Sequence, residues 1–126
     1  MNLRSPLARV RGLGSAKEGV HHWWAQRVTA IALVPLCLWF IFSLAALGGA
    51  DYNAITRWMQ SPVISAALIL LIIALFYHAQ LGMQVVIEDY VGCKALRIGS
   101  IILTRFVFLF TSLASITSVL KVFLEL

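Results

Sequence analysis

Residues 76–90 read FYHAQLGMQVVIEDY, an apolar run that carries one histidine, His78, and closes on the cluster Glu88, Asp89 and Tyr90. Upstream of that cluster, residues 63–87 contain no Lys, Arg, Asp or Glu. A helix over this run is long enough to cross the roughly 30 Å hydrocarbon core of a bilayer. His78 is therefore expected inside a membrane, where an imidazole is costly unless it pairs, ligates or faces a polar cavity. That makes it a candidate functional residue; a histidine simply hydrogen-bonded within a helix bundle is the plainer alternative. Asp89 follows His78 by eleven residues, which at about 100° per residue returns it to nearly the same helix face, roughly 16 Å along the axis. Gly82, one turn beyond His78, has no side chain, so either a bulky ligand or a neighbouring helix can approach the backbone there.

Working outward, two further runs of spanning length flank this one. The spans are expected at about residues 26–47, 63–87 and 98–123, preceded by a basic arm over residues 1–20. Composition agrees: the chain has 126 residues, is 61% hydrophobic and only 12% charged, with a mean hydropathy of +0.92. These values define a polytopic membrane protein and leave no room for a separate soluble enzyme domain. The expected fold class is all-α integral membrane, with three transmembrane helices. Net charge is +5, but the excess is local. Residues 1–27 hold Arg4, Arg9, Arg11, Lys17 and Arg27 against Glu18 alone, a balance of +4. No folded basic face accompanies that charge, so nucleic acid is not expected as a partner, and the arm instead suits topology or anionic headgroups.

Basic residues concentrate on the cytoplasmic side, which places the amino terminus there. Three crossings then put the carboxyl terminus and the connection over residues 48–62 on the opposite side, and return the connection over residues 88–97 to the cytoplasmic surface. Residues 19–27, GVHHWWAQR, and the Glu88–Tyr90 cluster would consequently meet at one membrane face. Trp23 and Trp24 suit the headgroup interface there. Pro35 lies within the first span and removes an amide donor, permitting a bend. Gly92 is a turn or helix-end signal. Thr104, Thr111, Ser115 and Ser118 fall on one stripe of the third span, suited to a helix contact. Arg105 is placed to snorkel toward the surface or to assist a ligand. Cys37 and Cys93 have neither disulfide nor metal-ligand spacing.

The chemistry available to these residues is redox-compatible. His78 can offer an imidazole nitrogen to a haem iron, with its other nitrogen held by a second group. Tyr90 can donate a hydrogen bond to a quinone carbonyl, with Asp89 orienting it or exchanging a proton, and Arg27 or His21 can supply positive potential.

The segment HAQLGMQVVIEDYV, residues 78–91, resembles the axial-histidine and DY pattern of the small cytochrome b membrane anchor of bacterial succinate dehydrogenase, respiratory complex II. GVHHWWAQRVTAI, residues 19–31, resembles that family's entry into the first span, retaining its His–x5–Arg spacing through His21 and Arg27. The resemblance implies a heterodimeric haem-binding anchor in the bacterial inner membrane. His78 would be one axial ligand of haem b, Gly82 part of the haem environment, and the larger cytochrome b anchor subunit would supply the second ligand. Tyr90, Asp89 and Arg27 would contribute to a ubiquinone site, and His21 and Arg27 to the surroundings of a haem propionate. An iron–sulfur subunit would deliver electrons from a flavoprotein subunit that oxidises succinate, so no dicarboxylate chemistry would belong to this chain. The alternatives are an anchor of a fumarate reductase and a structural or transport subunit without redox role. A transporter should carry an internal repeat or a substrate-linked buried charge, and neither is evident.

Overall fold

In the computed structural model, which describes residues 6–7 and 17–126, the chain forms three long helices and one short one. We number them α1 (Lys17–Ala46), α2 (Tyr52–Met59), α3 (Pro62–Tyr90) and α4 (Lys94–Phe123). Three segments are long and apolar enough to cross a membrane: Gly19–Ala46, Pro62–Tyr90 and Lys94–Phe123. The all-α membrane architecture read from the sequence is thus the one observed. Residues 1–5 and 8–16 of the expected irregular arm lie outside the described residues. Its last four residues are helical, a correction to the expected boundary: α1 begins at Lys17, and a Cβ at Gly19 would meet nothing within 4 Å, so no close contact requires glycine there.

Each helix end has a local cause. The helix α1 continues through Pro35, although a proline cannot donate to the carbonyl four residues earlier. Beyond its end, Gly49 takes a φ of 83°, a left-handed conformation that glycine adopts without the Cβ penalty. The connection expected to be merely polar contains α2, which Asp51 starts by accepting a hydrogen bond from the Ala54 N–H at 2.9 Å, a standard N-cap role for aspartate. Pro62 opens α3, its fixed φ suited to a first helical position where no donor is needed. Between α3 and α4, Gly92 does not take a positive φ. The turn is instead held by Arg97, whose Nε donates to the Val91 carbonyl at 3.0 Å and whose Nη2 reaches that of Gly92 at 3.4 Å.

The three long helices are arranged with α3 in the middle: among the described residues it packs against both α1 and α4, whose backbones do not approach each other closely. Leu33 of α1 with Leu71 and Ala74 of α3 form the centre of one contact, extended by Leu36, Cys37 and Phe40. Phe76 meets Phe108 edge-on across the other, with ring centres 6.1 Å apart. At the α2 end, Trp58 stacks on Trp39 at 6.1 Å, and the buried Ser65 donates to the Met59 carbonyl at 2.6 Å. Few side chains are buried, and large apolar residues such as Ile31, Phe42, Phe106 and Phe110 are 60 to 80% exposed. Hydrocarbon solvates such faces as well as a protein core does, so helix association must rest on close packing and polar contacts. Of the Thr/Ser stripe of α4, Thr104 and Ser115 are half-buried, Thr104 beside Gln80, Gln84 and Ile87 of α3, while Thr111 and Ser118 are exposed; all four hydroxyls donate to carbonyls of their own helix at 2.7 to 2.8 Å.

Candidate functional site

The α1–α3 contact is antiparallel, and its register defines the site. Leu33 lies near Leu71 and Ala74, Thr29 near His78, and Gln26 near Gly82, each step moving toward the start of α1 and the end of α3. The GVHHWWAQR segment and the Glu88–Tyr90 cluster therefore occupy the same end of the bundle, as the alternation of three crossings predicts.

His78, half-buried, points at α1, where its Nδ1 lies 2.9 Å from the Thr29 hydroxyl. That hydroxyl also faces the Ala25 carbonyl at 2.7 Å and the Gln26 carbonyl at 3.1 Å. A hydrogen bond between membrane helices contributes about 0.5–2 kcal/mol, so this contact helps to lock the register of α1 on α3. One turn along, a Cβ at Gly82 would stand 3.9 Å from Gln26 Nε2, an ordinary contact rather than a clash. The approach of α1 at this point therefore has room for a Cβ and does not by itself require glycine. The Oε1 of Gln26 is buried with no hydrogen-bond partner. A buried amide oxygen without a donor is costly, which marks it as a group that a ligand or another subunit can satisfy.

The remaining residues singled out in the sequence lie apart from this contact. Tyr90, the last residue of α3, is 84% exposed, and Asp89 beside it is exposed. Of the two adjacent acids it is Glu88 that is engaged, accepting from Gln84 Nε2 at 2.9 Å. Arg27 turns back along α1, its guanidinium 5.1 Å from the centre of the Trp23 ring, the cation–π geometry open to residues one turn apart. His21 lines a groove of about 750 Å³ that runs across α3 between α1 and α4, together with His22, Gln80, Gln84 and Arg105. Arg105 donates to Gln84 Oε1 at 3.0 Å, so Gln84 bridges the Arg105 guanidinium to the Glu88 carboxylate. Among the described residues, no group of three or more His, Cys, Asp or Glu side chains could hold a metal ion. Any metal at His78 must therefore arrive with other ligands.

Comparison with known proteins places this architecture. Residues 1–119 match the family of succinate dehydrogenase/fumarate reductase transmembrane subunits. The chain belongs to that family. It is 40% identical over 118 residues to the succinate dehydrogenase hydrophobic membrane anchor subunit of Rickettsia bellii, covering 94% of each chain. It is 36% identical over 92 residues to the succinate dehydrogenase membrane anchor subunit of Reclinomonas americana, covering 71% of this chain and 77% of the relative. With the corresponding protein of Paracoccus denitrificans the identity is 31% over 90 residues, covering 71% and 70%. An anchor of this family works within a membrane and in a complex with other subunits, which accounts for so much apolar surface left open in a single chain.

For this member of the transmembrane-subunit family, the sequence alone singles out His78 as a candidate but not the groups that surround it. Thr29 and Gln26 are legible there only as polar residues three apart at the start of an apolar run, a spacing that puts them on one helix face. Gln80 and Gln84, four apart on α3, give the same kind of signal. None can be paired with a partner until the register of α1 against α3 and of α3 against α4 is known.

Proposed function

We propose that the chain is the haem-bearing, quinone-site half of a succinate dehydrogenase anchor. The observation that carries this reading is the His78–Thr29 contact at 2.9 Å: the one histidine deep in a span is held by one ring nitrogen and keeps the other for a ligand bond. The surroundings fit a flat amphiphilic group. His78 is half-buried rather than sealed, Gly82 one turn away has room for a Cβ beside the Gln26 side chain, and the orphaned Gln26 amide oxygen sits alongside. His78 would ligate haem b, with Gly82 and Gln26 in its wall; His21 and Arg27, near the membrane surface, would favour its anionic propionates. When bound, the haem would supply a one-electron store close to the quinone site, and the larger anchor subunit would supply a further ligand.

Tyr90 and Asp89 act on ubiquinone. The exposed phenol at the end of α3 donates a hydrogen bond to a quinone carbonyl, which strengthens as that oxygen gains negative charge on reduction. Asp89 exchanges a proton with the reduced oxygen, and Arg27 adds positive potential. The flavoprotein subunit removes two electrons and two protons from succinate, the iron–sulfur subunit carries the electrons, and ubiquinone takes up two electrons and two protons to become ubiquinol. This chain's part is to bind, orient and protonate at the membrane surface. The +4 balance over residues 1–27 supports a cytoplasmic amino terminus and a periplasmic carboxyl terminus in a bacterial inner membrane.

The purified complex provides the test. Copurification with a second anchor, an iron–sulfur subunit and a flavoprotein, together with a low-spin b-type haem spectrum, is the expected result. A complex with these partners but without haem would reject the cofactor assignment. Orientation is checked separately by labelling Cys93 and an Ile55→Cys variant with an impermeant thiol reagent: labelling of both from one side contradicts the proposed topology.

A further inference from the structure

The Thr29 hydroxyl carries one proton and meets three hydrogen-bonding groups. Two of them, the Ala25 carbonyl at 2.7 Å and the Gln26 carbonyl at 3.1 Å, can only accept. One hydroxyl proton can serve only one of the three groups, and we assign it to the Ala25 carbonyl, the nearest of them. The third group, His78 Nδ1 at 2.9 Å, can then be bonded only if the threonine oxygen accepts and the ring nitrogen donates. A neutral imidazole with its proton on Nδ1 has its lone pair on Nε2.

From this count of protons we infer that Thr29 is a positioning residue that sets the tautomer and ring orientation of His78, presenting Nε2 as the metal-binding nitrogen. This rests on the haem reading above and deepens it. Two features make Thr29 suited to the role. Its β-branched side chain has few χ1 choices in a helix, and the hydrogen bond to its own backbone selects among them, so the oxygen is fixed relative to α1 before the ring arrives. The Leu33, Leu71 and Ala74 contact one turn deeper then fixes α1 relative to α3. The ring is thereby oriented by a rigid helix rather than by a mobile side chain. An acceptor on Nδ1–H also raises the donor strength of the other nitrogen, which favours the oxidised state of a ligated iron.

The test uses the intact complex with Thr29→Val, which keeps the shape and removes the acceptor, Thr29→Ser, which restores it, and His78→Ala as reference. The expected result for Thr29→Val is a haem midpoint potential shifted upward and haem loss to apomyoglobin faster by about tenfold, the lower end of the range for supporting groups of this kind. Thr29→Ser should stay close to the parent in both. If Thr29→Val matches the parent in both while His78→Ala loses the low-spin spectrum, the positioning role is overturned and ligation by His78 stands. If His78→Ala leaves the low-spin spectrum unchanged, ligation itself fails and the inference falls with it. A measurement independent of assembly of the variants is nitrogen NMR of the reduced parent complex labelled with ¹⁵N-histidine. A protonated Nδ1 and an iron-bound Nε2 at His78 are expected, and the reverse assignment would overturn the proposal.

Discussion

The two ends of the 76–90 stretch are built in opposite ways. Around His78, the chain supplies its own second partner: α1 brings Thr29 to the ring at 2.9 Å and Gln26 to Gly82, and the core residues Leu33, Leu71 and Ala74 hold the two helices together. Twelve residues on, Tyr90 is 84% exposed at the last position of α3. One region is pre-organised within the fold, and the other is a set of groups presented outward. A buried polar group must be satisfied where it sits, whereas a phenol at a helix end can stay hydrated until a partner covers it. Damage at the first region should therefore register in cofactor binding, and damage at the second in substrate turnover.

The sharpest way to break the comparison is His78→Ala. Loss of the native low-spin haem spectrum is expected, with haem per flavin reduced in the purified complex; coordination by any other residue of this chain would erase the distinction. Tyr90→Phe should come next. It keeps most of the apolar volume and deletes one donor to a charge-developing oxygen, a loss of about 1.5–3 kcal/mol, or roughly 10- to 150-fold in succinate-to-ubiquinone turnover. Electron transfer to an artificial acceptor that bypasses the quinone should be unchanged, and haem content normal. Equal losses in both assays would assign Tyr90 to assembly instead.

Ala74→Leu probes the pre-organised side by packing rather than ligation. Ala74 is 6% exposed between α1 and α3, so a larger side chain should strain the contact by about 1–3 kcal/mol. The measurement is the temperature at which the purified complex loses its haem band, expected to fall while Tyr90-dependent turnover at low temperature is retained. The smallest effect is expected far from both regions. Asp51→Ala removes the α2 cap, a change of about 1 kcal/mol, and should leave haem spectrum and turnover unaltered; a change in either would show that the α2 end communicates with the site.

The runs of apolar residues and their lengths determined that this chain crosses a membrane three times, because a bilayer core demands helices of about 20 residues and admits no other open structure. The alternation of crossings also determined that residues 19–27 and Glu88–Tyr90 share one end. Those are one-dimensional properties, written in composition and length. Short-range signals were less complete. Residues 48–62, where Asp51 and Arg57 offset each other, read as a polar connection, although an aspartate three residues before Ala54 is a helix start. Likewise α1 begins earlier than its apolar stretch, because helix formation does not end where hydrophobicity does. Only the tertiary structure decided what faces His78. Thr29 and His78 are 49 positions apart, and a slip of one residue between antiparallel helices would rotate a different side chain toward the ring. It likewise decided that the α4 hydroxyl stripe bonds to its own backbone, and that Arg27 lies on Trp23. Such pairings depend on helix register and on which rotamer a crowded interface permits, and neither is a local property of the chain.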